Sequence, residues 1–137
     1  MSDFCIFCKI VAREIPAEIV FEDELTIGFL DIGPLFPGHV LLAPKQHCQT
    51  LTDLPETSVG PLFLNAQRIT RAVETAMEAQ GSFIGINNRV SQSVPHLHVH
   101  IVPRKPKDGL RGFFWPRKSY SGPGQVKATG EKIRAAL

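Results

Sequence analysis

Apolar positions change their spacing several times along the chain, and each change marks a candidate element. Phe4–Val11 predicts a short helix, and Glu18–Phe21 and Thr26–Leu30 predict strands, with the acidic Glu22-Asp23-Glu24 between them as a hairpin turn. Pro34, Pro37 and Gly38 punctuate the next stretch, before His39-Val40-Leu41-Leu42-Ala43, an apolar run of strand length that Pro44 closes. From Val59 to about Gln80, Leu62, Phe63, Ala66, Ile69, Val73, Ala76 and Met77 recur at helical spacing, with Arg68, Arg71, Glu74 and Glu78 on other faces. That pattern predicts an amphipathic helix with Pro61 in its first turn and Gly81 as its stop. Phe83–Asn87 and Leu97–Val102 predict strands around a polar loop, Asn88 to Ser93, and Glu131–Leu137 a short terminal helix. Hairpin-length connections around one long helix favour an α+β fold with an antiparallel sheet of about five strands over alternating βαβ units.

Composition narrows the class. The chain has 137 residues, 43% hydrophobic and 20% charged, which suits a single domain over 1–137 and excludes disorder, collagen and coiled coil as readings. No apolar run approaches the roughly 20 residues of a membrane span, and the start MSDFCIFCKI lacks a basic segment followed by an apolar one. The expected compartment is the cytoplasm, with no membrane partner. Net charge is only +2, but residues 1–31 carry seven acids against two bases and residues 101–137 nine bases against two acids. The basic and aromatic segment 104–137 suits either a phosphate-attracting surface or a solvated tail. Within it, aromatic rings lie between Arg111 and Arg117, an arrangement used both in packing and in stacking on single-stranded nucleic acid. A nucleic-acid partner rests on this tail alone and is not the expectation. Cys5 and Cys8 form a C-x2-C pair, whose spacing fits one tetrahedral metal ion or a redox couple better than a disulfide framework.

The most informative segment is Pro95 to Pro103, where His96, His98 and His100 alternate with Leu97, Val99 and Ile101. On a strand the imidazoles face one way and the aliphatic residues the other. Three such rings on one face suit a metal chelated through i and i+2, a catalytic ion held by His96, His98 and either His100 or His39, or a nucleophile oriented by its neighbours. As a nucleophile His98 is best supported, because it is flanked on both sides.

His-Leu-His-Val-His-Ile-Val resembles the histidine triad pattern. Ordered blocks upstream resemble the Hint-type branch of that family: Ile6 to Val11, Glu14-Ile15-Pro16-Ala17, Phe21-Glu22-Asp23, Phe29 to Ile32, Pro37-Gly38-His39 and Pro44-Lys45-Gln46-His47. The resemblance implies a homodimeric nucleotide hydrolase or transferase with a purine nucleotide as substrate. In it, His98 attacks the α-phosphorus of a nucleoside phosphoramidate or dinucleoside polyphosphate, and water releases the nucleoside monophosphate from a nucleotidyl-histidine. It further implies that His100 contacts the phosphate, that Gln92 and Ser93 bind phosphate oxygens or the leaving group, and that the carbonyl near His96 orients His98. Asp31 would grip the ribose, Ile10, Phe29 and Ile32 would line the base pocket, and His39 and Asn88 join the nucleotide-binding set. The family usually has a longer, glycine-containing loop where this chain has only Arg89-Val90-Ser91 between Asn88 and Gln92. The alternative is a nucleotide-binding or interaction protein with little turnover.

By the same resemblance, His47 and His96 complete a Cys2His2 zinc site with Cys5 and Cys8. Four protein ligands leave no open position, so this zinc is expected to be structural. Cys48 is expected to be a free thiol. Trp115-Pro116 resembles the segment that approaches the partner's active site in Hint-type dimers.

Overall fold

The structure, a computed structural model, describes residues 4–111 and 116–137. β1 (Ile19–Glu22), β2 (Thr26–Leu30), β3 (Val40–Pro44), β4 (Gly81–Gly85) and β5 (Val99–Arg104) form one antiparallel sheet in the order β1-β2-β3-β5-β4. At the β1–β2 turn, Asp23 Oδ1 accepts the amides of Leu25 and Thr26 at 2.9 and 2.7 Å. Its Oδ2 accepts from Asn65 Nδ2 at 2.7 Å, and the same amide reaches Thr26 Oγ1 at 2.9 Å. Buried Asn65 thus ties the hairpin to α2 (Glu56–Ala76).

Strand alternation sorts the core onto two faces. Val40, Leu42, Leu97, Val99 and Ile101 meet Leu62, Ala66, Ile69 and Val73 of α2. Ile27, Phe29, Leu41 and Ala43 meet Phe7 and Ile10 of α1 (Ile6–Val11) on the opposite face. Each fully buried aliphatic side chain contributes roughly 1.5–3 kcal/mol, so exchanging the faces by a one-residue slip is prohibitive. The register Leu41↔His100 and Leu42↔Val99 follows.

Several element ends differ from expectation. α2 begins at Glu56, directly after Pro55, so Pro61 lies in its second turn and leaves the Thr57 carbonyl without its helical donor. Thr57 is exposed, and water can satisfy that oxygen. The helix ends at Ala76, before Gly81, because Glu78 takes the left-handed conformation (φ 51°) and closes the end with Glu78 N–H to Thr75 O and Ala79 N–H to Glu74 O. Gly81 instead opens β4 opposite Arg104. β3 runs one residue later than expected, β4 starts two earlier and β5 two later. The terminal helix is longer, α3 (Pro123–Ala136), with Pro123 in its first turn. No helix among the described residues is long and apolar enough to cross a membrane.

Candidate active site and metal centre

Cys5 caps α1, its Sγ accepting the Cys8 amide at 3.3 Å, which turns both sulfurs to one side. Two imidazoles meet them there. Cys5 Sγ lies 3.3 Å from His96 Nδ1, Cys8 Sγ 3.3 Å from His47 Nδ1, and the two Nδ1 atoms 3.2 Å apart. Ligands around tetrahedral zinc, with bonds of about 2.0–2.3 Å, stand roughly 3.3–3.8 Å from one another, so the four atoms fit such an ion. The Nε2–H of His96 donates to Pro44 O at 2.7 Å, which leaves the Nδ1 lone pair facing the sulfurs. Burial, foremost, holds His96 below the usual imidazole range, favouring the neutral ligand form.

Two residues on, buried His98 turns toward α1, edge-on to Phe7 at 5.0 Å. Its Nδ1 stands 2.7 Å from the His96 carbonyl, which can only accept; the proton is therefore assigned to Nδ1 and the lone pair to Nε2. A second chain of bonds sets His100. The Leu35 amide donates to His39 Nδ1 at 3.1 Å, which leaves the proton of neutral His39 on Nε2, 3.0 Å from His100 Nδ1. His100 then carries its own proton on Nε2. Burial lowers the pKa of His39, and burial followed by the nearby His98 and His39 takes His100 down to about 4, so both rings are neutral at pH 7. Asp31, His39 and His100 also gather within 4.8 Å, a spacing that this histidine pair explains without an ion.

A cavity of about 270 Å³ opens between this face and α1, lined on one side by Ile10, Phe29 and Ile32 and on the other by Asp31, Ser93, His98 and His100. An apolar slot ending at two imidazoles and one carboxylate suits a ligand with a flat apolar ring, hydroxyls and a phosphate. The family described as HIT domain matches residues 12–107. The chain belongs to the HIT domain family. Among relatives of this HIT protein is the adenosine 5'-monophosphoramidase of Schizosaccharomyces pombe, 34% identical over 134 residues that cover 97% of this chain and 98% of that one. The crystal structure of a Streptococcus mutans UA159 protein matches with TM-score 0.90 and 35% identity over 99% of this chain and 87% of the other. A zinc-bound histidine triad family protein from Mycobacterium smegmatis matches with TM-score 0.75 and 37% identity, over 98% of each chain. The α+β architecture expected for the family is the one observed.

The HIT domain does not gather every residue expected at the site. The three triad histidines share one side of the chain, but both ring nitrogens of His96 are engaged away from the cavity, so only its carbonyl serves His98. His39 stands behind His100, outside the cavity lining. Asn88 Oδ1 instead accepts the Leu51 amide at 3.0 Å, and Gln92 spans Gln49 O and the Arg89 amide at 2.7 and 2.8 Å. The loop turns through Arg89 (φ 66°) and Ser91 (φ 61°), left-handed residues at places where glycine would be unstrained. Cys48 is buried beside the α2 core, its thiol pKa raised by burial, then by Asp53. Phe7, against both His96 and His98, is a site residue the sequence reading missed; its place beside Cys8 in a helix was the available signal. Trp115 lies outside the described residues.

Proposed function

We propose that this HIT protein is a nucleotide hydrolase that acts at an α-phosphorus through His98. The observation that carries the reading is the His98 Nδ1 to His96 carbonyl bond, because it leaves Nε2 as the free nucleophilic nitrogen at the inner end of the cavity. Nε2 forms a bond to phosphorus as the bond to the leaving group breaks, the leaving group taking a proton. The carbonyl stabilises the charge that develops on the ring, and His100 Nε2–H donates to a phosphate oxygen. Water then cleaves the nucleotidyl-histidine, releasing the nucleoside monophosphate. Ser93, in the cavity lining, serves the phosphate and leaving group, and Gln92 and Asn88 brace the loop that carries it. Asp31 holds the ribose, and Ile10, Phe29 and Ile32 hold a purine. Phosphoramidates and dinucleoside polyphosphates present the same phosphorus to His98, and the monophosphoramidase relative favours the former.

Cys5, Cys8, His47 and His96 hold structural zinc in this proposal, in keeping with the reducing cytoplasm and with three cysteines outside any disulfide. Exposed Phe63 and Ile84, on α2 and the β4 edge, supply the homodimer contact. The test is AMP release from adenosine phosphoramidate and diadenosine tetraphosphate by the native chain and His98→Asn. The expected loss is about 10⁴-fold or more, together with a native nucleotidylated peptide containing His98 after rapid quenching. Nucleotide binding without turnover by the native chain would make it a binding protein instead.

A further inference from the structure

α1 has only six residues, fewer than two turns, so its own backbone bonds cannot hold it in place. Its packing on the sheet is secured at the ends. At the N-terminal end Cys5 and Cys8 join the cysteine-histidine cluster. The C-terminal end closes in a Schellman turn, where Arg13 N–H donates to Ile10 O at 3.0 Å and Glu14 N–H to Lys9 O at 2.8 Å. Such a turn places the residue just beyond the cap in the left-handed region, and glycine is the usual one because it goes there without strain. Here Arg13 does so, at φ 62°. The backbone alone favours glycine, so what sets arginine apart at this position is its side chain.

The Arg13 guanidinium donates to Glu22 Oε1, and Lys45 Nζ lies 2.9 Å from Glu22 Oε2. Strand register explains why the three meet. Glu22 stands opposite Ile27 and Ile27 opposite Ala43, so these side chains share the face of the sheet that α1 covers. Lys45, two residues beyond Ala43, reaches Glu22 across β2. Glu22 therefore ties the exit of α1 to β1 and to the end of β3. Before the tie along the chain comes Ile10, and after it Ile15, Pro16 and Ala17; all four line the cavity that holds His98 and His100. Arg13 itself does not line it.

We propose that Arg13 is a positioning residue for base recognition: paired with Glu22, it holds the wall of Ile10, Ile15, Pro16 and Ala17 at the spacing that a purine fills. The inference rests on the nucleotide reading of the cavity and adds a residue that touches neither base nor phosphate. Glycine at position 13 would relieve the backbone and leave this wall without its tie to β1. Strain and recognition can therefore be separated by one substitution.

The test measures the Kd of AMP and of ribose 5-phosphate, which has the same sugar and phosphate without a base, for the full-length parent, Arg13→Gly and Glu22→Gln, with Tm read alongside. Arg13→Gly is expected to keep Tm within about 2 °C of the parent, because relief of the left-handed strain offsets the lost surface pair. Its Kd for AMP should rise at least about threefold while that for ribose 5-phosphate stays within about 1.5-fold. Glu22→Gln, which leaves the backbone at Arg13 as it is, should reproduce the loss for AMP. Equal weakening of both ligands by Arg13→Gly would make Arg13 a merely structural residue and overturn the proposal. Unchanged AMP affinity would overturn it as well, and so would a loss in Arg13→Gly that Glu22→Gln does not share. A parent that binds AMP yet releases none from adenosine phosphoramidate would end the hydrolase reading, while the ratio of the two Kd values still decides this one. A parent that binds AMP no more tightly than ribose 5-phosphate would overturn the proposal and the base pocket together.

Discussion

His100 has its proton placed for it. A surface imidazole exchanges tautomers freely, whereas here Leu35 N–H, His39 and His100 form a directed series ending in an N–H toward the cavity. His39→Asn, too short to reach His100, removes that direction; the expected result is a 10–100-fold fall in kcat with KM little changed. Nitrogen-15 NMR of the imidazoles would show mixed His100 tautomers in the variant and one in the parent. In the same spectra parent His100 should titrate near pH 4 instead of the ordinary 6.5. Because the folded state then binds the proton more weakly than the unfolded chain, His100 favours folding fully above pH 6.5, and that contribution is lost as pH falls toward 4. The triad was legible as an alternation of letters. The support behind it was not, since it depends on the register that sets Leu41 opposite His100, and no local pattern states a register.

Elements were legible as periodic runs, while their ends answered to single residues. Pro61 and Gly81 mark conventional helix limits, yet α2 starts earlier, at Pro55, whose carbonyl accepts the Ser58 amide without any side-chain cap, and stops earlier, at Glu78, where the amides of Glu78 and Ala79 close the end on the Thr75 and Glu74 carbonyls. The attachment of α2 to the β1–β2 turn hangs on one amide. Asn65→Ala deprives Asp23 and Thr26 of a buried donor while leaving the helical backbone unchanged. A loss of about 1–3 kcal/mol is expected, read as a lower urea midpoint at unchanged m-value, since removing one partner strands the other. Asn65→Asp should cost more, as a second carboxylate would then face Asp23. The extent of α3 was illegible for a related reason: none of its residues is buried among the described residues, so its apolar positions follow no core face.

At the scale of the whole molecule, the sheet separates stability from chemistry, and the cysteine-histidine cluster joins the two. Through Cys5 and Cys8 it fastens α1, and α1 supplies Phe7 beside His98 and Ile10 in the cavity wall. Through His96 it borders the carbonyl that orients His98. For the zinc proposed above, two outcomes of stripping the metal are thus distinct. An ion that activates water would take all turnover with it, whereas a fully ligated ion offers water no position. In the second case His96 stays held by the Pro44 carbonyl at 2.7 Å, so His98 keeps its orientation while α1 loosens over the base pocket. Chelated protein, assayed below its lowered melting temperature, should therefore keep kcat within about threefold and show KM raised several-fold, as uniform binding is lost without the chemical step. Cys8→Ser should reproduce that split with zinc present and lower Tm by more than about 5 °C, the shift that one to two kcal/mol produces in a chain of this size. Retained folding with abolished kcat in the chelated protein would instead assign the ion to catalysis.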